Sequence, residues 1–301
     1  MPAMRHTAIN NSIMDTNDIL RRVRRLEIKT RSLTNNIFAG EYHSAFKGHG
    51  MSFAEVREYQ AGDDIRDIDW NVTARMGHPY VKVYEEEREL TLMLMVDLSA
   101  SQRFGTGTRT QRELAAEVAS TLAFSAMQNN DRVGAIFFTD RIEKFIPPQK
   151  GRKHILYIIR ELLAFEPTGK RTDVKAAMEY LMRVLTKRCI AFLISDFLDT
   201  NDFSRPLTVA ARKHDLVCLR IYDPRMAELP DAGIIKVTDL ENGHEQYIDT
   251  SSRRVREHHK RWWELQESKL TQIFRTNKVD YVSLSTQADY VRPLMNLFAR
   301  R

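Results

Sequence analysis

Cysteine is scarce in this chain of 301 residues, which contains only Cys189 and Cys218. Each cysteine lies in an apolar run typical of a buried strand, so we expect core thiols rather than metal ligands or a disulfide. Two scattered cysteines also fit a reducing compartment. These observations predict a cytoplasmic protein.

Long hydrophobic runs are absent as well. No segment reaches the roughly 18 consecutive apolar residues that a membrane-spanning helix needs. Residues 1–15 lack the apolar core of a signal peptide, and we expect a disordered or tag-like leader there. Hydrophobic residues make up 43% of the chain and charged residues 29%, which is typical of a globular protein with its own core. No membrane span is therefore expected.

Motifs for nucleotide hydrolysis and nucleophilic catalysis are also missing. Without a Gly-x4-Gly-Lys-Ser/Thr sequence, the chain is not expected to hydrolyse ATP by itself. Ser99 stands outside any nucleophile-elbow sequence. His258 and His259 are adjacent, so they cannot bind one metal ion from a single face of a helix. These absences favour a binding protein over an enzyme.

Positive charge prevails, with a formal net charge of +6. Residues 17–34 predict a helix in which residues 20–31 carry many Arg and Lys side chains, opposed only by Glu27. Such a helix can contact an anionic membrane or an acidic partner, or it can be a solvated face packed on the domain by its apolar edge. No known nucleic-acid-binding motif accompanies the cations, so we do not expect a nucleic-acid partner.

Apolar strands alternate with amphipathic helices from residue 90 onward. The strands are LTLMLMVD, RVGAIFFT, CIAFLIS, LVCLRIY and VDYVSLS, and IIKVTD with EQYIDT predicts a small antiparallel pair. This alternation predicts an α/β domain over residues 90–301, with a doubly wound, mostly parallel sheet covered on both faces. Residues 35–89 predict a small β-rich N-terminal lobe, and residues 1–34 a leader followed by the basic helix.

Oxygen-bearing side chains mark three loops of this predicted domain. Asp97, Ser99 and Ser101 follow the first strand, Thr172 precedes a helix, and Asp196 ends a later strand. Ligands of open α/β sheets bind at the carboxyl ends of strands, so we expect these side chains to meet. Carboxylates and hydroxyls suit Mg²⁺, Mn²⁺ or Ca²⁺. The pattern predicts a divalent-metal site; alternatively, Thr172 and Asp196 only cap helices.

The order of these loops resembles the metal-ion-dependent adhesion site of von Willebrand factor type A domains. The resemblance implies that the metal ligands are Asp97, Ser99, Ser101, Thr172 and Asp196, and that open coordination positions accept a carboxylate of a partner. Such domains usually carry Gly-Gly before the threonine, whereas Lys170 and Arg171 follow Gly169 here. These two cations can either weaken metal binding or attract an acidic partner.

Residues 57–75 are dense in charged and aromatic side chains. The candidates there are Arg57, Asp63, Asp64, Arg66, Asp67, Asp69, Trp70 and Arg75. One interpretation is an Arg–Asp network that fixes a loop, because arginine binds carboxylates through paired hydrogen bonds. A second is a partner-binding surface. A third is a metal-dependent hydrolase, such as a phosphodiesterase or nuclease, that uses the cluster of Asp63, Asp64, Asp67 and Asp69.

The same segment reads R-x-Y-x-x-G-D-D-x-R-x-I-D-W-x-x-T-A-R, with Gly48-x-Gly50 before it and EEER at residues 85–88 after it. From about residue 35 to the C-terminus, the chain resembles the family catalogued as domain of unknown function 58. Members of that family resemble von Willebrand A domains, are typically bacterial and are encoded beside MoxR-type AAA+ ATPases. The resemblance implies a cytoplasmic accessory or adaptor of such an ATPase or its client, in chaperone-like maturation or stress tolerance.

Overall fold

The elements follow the predicted alternation of strands and helices. A computed structural model describes residues 16–33, 42, 45–46, 51–86, 90–241 and 243–301. Its first elements are α1 (Thr16–Leu33), β1 (Met51–Glu58), α2 (Trp70–Met76) and β2 (Tyr80–Glu86). The elements that follow are β3 (Thr91–Asp97), α3 (Gln111–Gln128), β4 (Arg132–Phe138), β5 (Ile142–Gln149), α4 (Arg152–Ala164), α5 (Val174–Val184), β6 (Ile190–Ser195), α6 (Ser204–Lys213), β7 (Asp215–Tyr222), α7 (Pro224–Ala227), β8 (Ile234–Thr238), β9 (Glu245–Asp249), α8 (Arg253–Thr276), β10 (Asp280–Ser285) and α9 (Val291–Ala299).

A six-stranded sheet in the order β10-β7-β6-β3-β4-β5 organises these elements. Neighbouring strands are parallel, except that β5 pairs antiparallel with β4 at one edge. The central strand β3 is buried from Leu92 to Asp97, as a continuous apolar run predicts for a strand covered on both faces. The strand order reverses between β3 and β6, which is where open α/β sheets bind ligands at the carboxyl ends of their strands.

Helices cover both faces of the sheet and divide the core into two layers. On one face, α1, α3, α4 and α9 pack against strand residues such as Leu94 and Phe192. On the other, α5, α6 and α8 pack against residues such as Met95 and Leu193. The predicted α/β fold with a doubly wound, mostly parallel sheet is therefore confirmed. Cys189 and Cys218 are both buried and free.

The N-terminal part of the chain contributes to the first of these core layers. Phe46 is fully buried, with its ring centroid 5.9 Å from that of Phe192 and 5.7 Å from that of Phe298. On α1, Val23 is buried, and Arg22 forms a 3.0 Å ion pair with Glu113 of α3. The domain boundaries at residues 35 and 90 stay a prediction. Residues on both sides of each boundary pack into the same hydrophobic core.

The outer face of α1 carries the rest of the basic cluster. Arg21, Arg24 and Arg25 are exposed, and Ile28 lies among them with 66% of its surface accessible. Membrane or partner contact through residues 20–31 stays a prediction. The leader expected at residues 1–15 lies outside the described residues. Within the described ranges, no helix is both long and apolar enough to cross a bilayer.

Two antiparallel hairpins accompany the central sheet. β1 pairs with β2, and α2 lies in the connection between them. β8 pairs with β9 in register from Ile234–Asp249 to Thr238–Glu245, which confirms the hairpin that the sequence predicts. The β8–β9 turn brings Glu241 toward the carboxyl edge of the central sheet, where its charge interacts with Asp196.

Asp223, at the end of β7, ties together three loops on the same edge of the sheet. Its buried carboxylate accepts hydrogen bonds from the Thr106 amide at 3.0 Å and hydroxyl at 2.7 Å, from the Arg225 amide at 2.9 Å, and from the Thr286 hydroxyl at 2.7 Å. Burial alone would raise the pKa of Asp223, but these hydrogen bonds outweigh it and lower the pKa below its ordinary value. The loop that follows Ser101 is therefore held in place by the charged carboxylate of Asp223.

We expect Asp223→Ala to lower the free energy of unfolding by about 2–4 kcal/mol, because it leaves several buried donors without an acceptor. Urea titration of both proteins measures the difference. Since the folded-state pKa of Asp223 is lowered, the stabilisation is present above about pH 4 and is lost as the pH falls through that lowered pKa. Thr286→Val, which removes one donor only, should cost less. Equal stability of wild type and Asp223→Ala at pH 7 would contradict this role.

Candidate metal centre

The structure brings all five predicted ligands together at the carboxyl ends of β3 and β6. Asp97, Ser99, Thr172 and Asp196 are buried, and Ser101 is half-buried. The Thr172 hydroxyl lies 3.4 Å from Asp97 Oδ2, and the hydroxyls of Ser99 and Ser101 lie 3.0 Å apart. The Ser101 hydroxyl is close enough to Asp196 to lower the pKa of that carboxyl, against the rise caused by burial. Residues from three separate loops thus form one cluster of oxygen atoms.

Backbone hydrogen bonds fix the first of these loops. The Ser99 amide donates to Asp97 Oδ1 at 2.8 Å, which turns the chain immediately after β3. The Leu98 amide donates to the Phe138 carbonyl at 2.8 Å, and the Ala100 amide donates to the Lys170 carbonyl at 2.9 Å. The last bond joins the first loop to the second, so that Thr172 faces Asp97.

The second loop depends on Gly169 for its close approach to β4. A Cβ atom at this position would lie 2.1 Å from both the Asp140 Oδ1 and the Thr139 Oγ1 atoms, so a side chain there would displace the loop. The Gly169 amide donates a 2.7 Å hydrogen bond to the carboxylate of Glu143. Glycine is therefore required at position 169, directly before Lys170 and Arg171. The Gly-Gly pair that von Willebrand A domains usually carry before the threonine is missing here.

Neither Thr172 nor Asp196 is the N-cap of a helix. The N-cap of α5 is Asp173, whose carboxylate accepts from the Ala176 amide, and Thr172 precedes it. The N-cap of α6 is Phe203, well after Asp196. Asp196 instead accepts one hydrogen bond from the Leu198 amide through Oδ1 at 3.0 Å. The alternative interpretation of Thr172 and Asp196 as helix caps is therefore wrong.

Electrostatics at the cluster are dominated by two buried carboxyl groups. Burial and the neighbouring charge of Asp196 raise the pKa of Asp97 to about 7, although hydrogen bonds from Ser195 and Ser99 oppose the shift. Burial likewise raises the pKa of Asp196. Among the described residues, Asp196 Oδ2 is buried without a hydrogen-bond partner. A buried oxygen of this kind is costly unless a cation or donor compensates it.

These features fit a hard divalent cation. The available donors are two carboxylates and three hydroxyls, which match the oxygen preference of Mg²⁺ and leave positions for water. The part of the chain that the structure describes contains no group of three or more His, Cys, Asp or Glu side chains suited to a metal ion. The five candidate ligands include no cysteine or methionine, so the centre lacks the sulfur ligands that a soft metal such as copper(I) prefers.

Sequence reasoning missed two residues at this centre. The Ser195 hydroxyl donates a 2.6 Å hydrogen bond to Asp97 Oδ2 and accepts one from the Phe197 amide at 3.0 Å. In the sequence, this role of Ser195 is indicated by its position directly before Asp196. Glu241 has a pKa raised to about 7, first by burial and then by the charges of Asp196 and Asp239, while Arg171 opposes the shift. No sequence pattern links Glu241 to the metal loops.

Three aspartates of residues 57–75, Asp63, Asp64 and Asp69, are engaged in local ion pairs or a helix cap. Arg57 binds Asp63 through two hydrogen bonds of 2.8 and 2.7 Å, and Arg66 binds Asp64 at 2.8 Å. Arg57 lowers the pKa of Asp63 and Arg66 lowers that of Asp64. This geometry matches the predicted Arg–Asp network and supplies no metal cluster among these described residues.

Asp69 and its neighbours complete this segment. The Asp69 carboxylate caps α2 by accepting from the Asn71 amide at 3.0 Å and the Val72 amide at 3.2 Å, and these bonds lower its pKa. Trp70 is 67% exposed and Arg75 is exposed on the same helix. A partner-binding role for this surface stays a prediction.

We expect Asp97→Asn to change stability in opposite directions with and without metal. In EDTA the variant should unfold at a higher temperature than wild type, because it removes one of two adjacent buried negative charges. In excess Mg²⁺ the wild type should gain about 2.7 kcal/mol at a concentration 100 times the Kd, and the variant should gain nothing. Thermal unfolding monitored by circular dichroism measures both effects.

Asp67→Asn is the matched control for this experiment, because Asp67 is an exposed aspartate outside the candidate centre. It should follow wild type in both conditions. An equal Mg²⁺-dependent rise in wild type and Asp97→Asn would contradict the assignment of the site.

Comparisons with known proteins find similar sequences and structures in bacteria. An uncharacterized protein of Mycobacterium tuberculosis is 32% identical over 283 residues, covering 93% of this chain and 88% of that protein. The structure of an aerotolerance-related membrane protein from Bacteroides fragilis aligns with a TM-score of 0.49 and 16% identity, over 70% of this chain and 97% of that one. The structure of the conserved hypothetical protein BatB from Bacteroides thetaiotaomicron aligns with a TM-score of 0.47 and 16% identity, over 70% and 98%. The model of a family described as protein of unknown function DUF58 matches residues 55–269, and the chain therefore belongs to that family.

Proposed function

We propose that the chain is a non-enzymatic, divalent-metal-dependent protein-binding module. The observation that supports this function is the pair of buried carboxylates, Asp97 and Asp196, with one oxygen of Asp196 left without a partner among the described residues. A bound Mg²⁺ ion would neutralise them and offer open coordination positions to a carboxylate of a partner. Mn²⁺ and Ca²⁺ are the alternative ions.

The chain's own residues have distinct parts in this proposal. Asp97 and Asp196 supply the negative charge, and the hydroxyls of Ser99, Ser101 and Thr172 set the positions of the remaining oxygens. Ser195 orients Asp97 through their 2.6 Å hydrogen bond. The geometry needs no nucleophile or general base, so it supports binding rather than bond cleavage.

The surroundings of the centre favour an acidic partner. Lys170 and Arg171 are exposed on the second loop, and Lys170 is joined to the first loop through its carbonyl. Exposed cations near a binding site accelerate encounters with an oppositely charged surface. From the family resemblance, we infer that this partner is a MoxR-type AAA+ ATPase or its client, in the cytoplasm, and that the complex serves chaperone-like maturation or stress tolerance.

Binding of the purified MoxR-type ATPase from the same organism tests this function. We expect wild type to bind the ATPase in millimolar Mg²⁺ and to lose at least about tenfold in affinity in EDTA. Asp97→Ala and Ser101→Ala should bind weakly in both conditions while retaining a native circular dichroism spectrum. Biolayer interferometry measures the affinities. Binding that is equally strong in Mg²⁺, in EDTA and with Asp97→Ala would overturn the metal-bridged interaction.

A further inference from the structure

Arg220 in β7 is a buried cation whose charge is only partly compensated. Its side chain is 2% exposed, and no other arginine or lysine of the described residues is buried as completely. Nη1 binds the carboxylate of Glu267 in α8 at 2.8 Å, and the guanidinium carbon lies 4.6 Å from the ring centroid of Trp263. Nε and Nη2 are buried without a hydrogen-bond partner in the described part of the chain. Because Glu267 is half-exposed, Arg220 needs further negative charge nearby.

The strand register places Arg220 beside the residues that form the candidate metal centre. Ser195 pairs in register with Arg220, and its hydroxyl donates to Asp97 Oδ2 at 2.6 Å. Leu193 and Cys218, two residues earlier in the same strands, belong to the core layer under α5, α6 and α8. Side chains alternate between the faces of a sheet, so Ser195 and Arg220 lie on that face too. Since neighbouring strands lie about 4.8 Å apart, the backbone of Arg220 is about 10 Å from that of Asp97.

Electrostatics connect Arg220 with the two buried carboxyl groups. Burial raises the pKa of Asp196, and the positive charge of Arg220 opposes that rise. The other cations near the centre, Lys170 and Arg171, are exposed, and Glu241 is half-buried. Water screens exposed charges much more than buried ones. Arg220 is therefore well placed to stabilise the charged form of the carboxyl pair, and its charge also repels any cation that the pair attracts.

We propose that Arg220 is a built-in counter-charge for Asp97 and Asp196 that limits the affinity of the centre for a divalent cation. In the metal-free protein, this charge compensates carboxylates that burial makes costly. The same charge raises the free energy of adding a doubly charged ion. Arg220 thereby keeps the ion exchangeable instead of making it a permanent part of the fold. This inference rests on the proposed function and adds the residue that sets the strength of metal binding.

Arg220→Met tests the inference, because methionine keeps an unbranched side chain and removes the charge. We expect the variant to bind Mg²⁺ at least about tenfold more tightly than wild type in isothermal titration calorimetry. Arg220→Lys keeps the charge and should bind Mg²⁺ much as wild type does. Titration at about pH 8, above the pKa of Asp97, limits competition by protons. In EDTA, Arg220→Met should also unfold at a lower temperature than wild type. A purely structural role would lower that temperature without tightening Mg²⁺ binding.

Arg301→Met is the matched control. Arg301 is 11% exposed, pairs with Asp280 at 3.0 Å and lies 4.6 Å from the ring centroid of Phe46. It resembles Arg220 in burial, ion pairing and aromatic contact, but Asp280 begins β10 and so lies at the amino edge of the sheet. Its replacement should leave the affinity for Mg²⁺ unchanged.

Glu267→Gln is a second variant, at a half-exposed position that is easier to replace. Without this carboxylate the charge of Arg220 is less compensated, so Mg²⁺ binding should weaken by about two- to threefold. Glu264→Gln, at an exposed position of the same helix, should have little effect. If Arg220→Met does not fold, Glu267→Gln decides, and unchanged or tighter Mg²⁺ binding overturns the inference.

The outcomes separate this inference from the proposed function. If wild type binds Mg²⁺ and a folded Arg220→Met binds it equally or more weakly, the role of Arg220 is wrong and the proposed function stands. If neither wild type nor Arg220→Met binds Mg²⁺ or Mn²⁺, both are wrong. Binding by Arg220→Met alone would support the inference, with the affinity of wild type below the measured range.

Discussion

The burial of two carboxyl groups at the junction of β3 and β6 is the constraint on which the functional part of this structure depends. Asp97 and Asp196 lie in an apolar sheet edge where each raises the cost of charging the other, and one oxygen of Asp196 has no partner among the described residues. Because the net stability of a folded protein is small, two buried carboxylates of this kind are tolerated when a nearby positive charge compensates them. The hydroxyls that surround the pair are the ligands that a hard cation prefers.

The rest of the sheet edge keeps this arrangement in place. The topology sends the chain to opposite faces after β3 and β6, so the two aspartates meet where the strand order reverses. Close approach of the second loop requires Gly169, and Glu143 holds that loop by its amide. Asp223 then ties the loop after Ser101 to the ends of β7 and β10. The candidate metal centre is thus supported by acidic side chains whose own hydrogen bonds are satisfied.

Residues 57–75 and the metal centre show how similar side chains serve different purposes. In the N-terminal segment each of Asp63 and Asp64 has its own arginine, and their pKa values are lowered. At the centre, Asp97 and Asp196 share a buried environment, and their pKa values are raised. Paired carboxylates of the first kind fix a loop, whereas unneutralised ones of the second kind attract a cation. The DUF58 family to which the chain belongs has no known function, so the metal ion that we propose rests on the chemistry of the second pair.

The amino-acid sequence by itself determined the alternation of strands and helices, the burial of the cysteines and the identity of the oxygen side chains at Asp97, Ser99, Ser101, Thr172 and Asp196. Those features are local, because hydrophobic period and strand-end position can be recognised in a short window. Only the tertiary structure decided that Ser195 binds Asp97, that Glu241 comes near Asp196, and that Phe46 joins the core of the sheet. Each of these depends on residues that are far apart in the chain and meet through packing, for which no short window of sequence carries a signal.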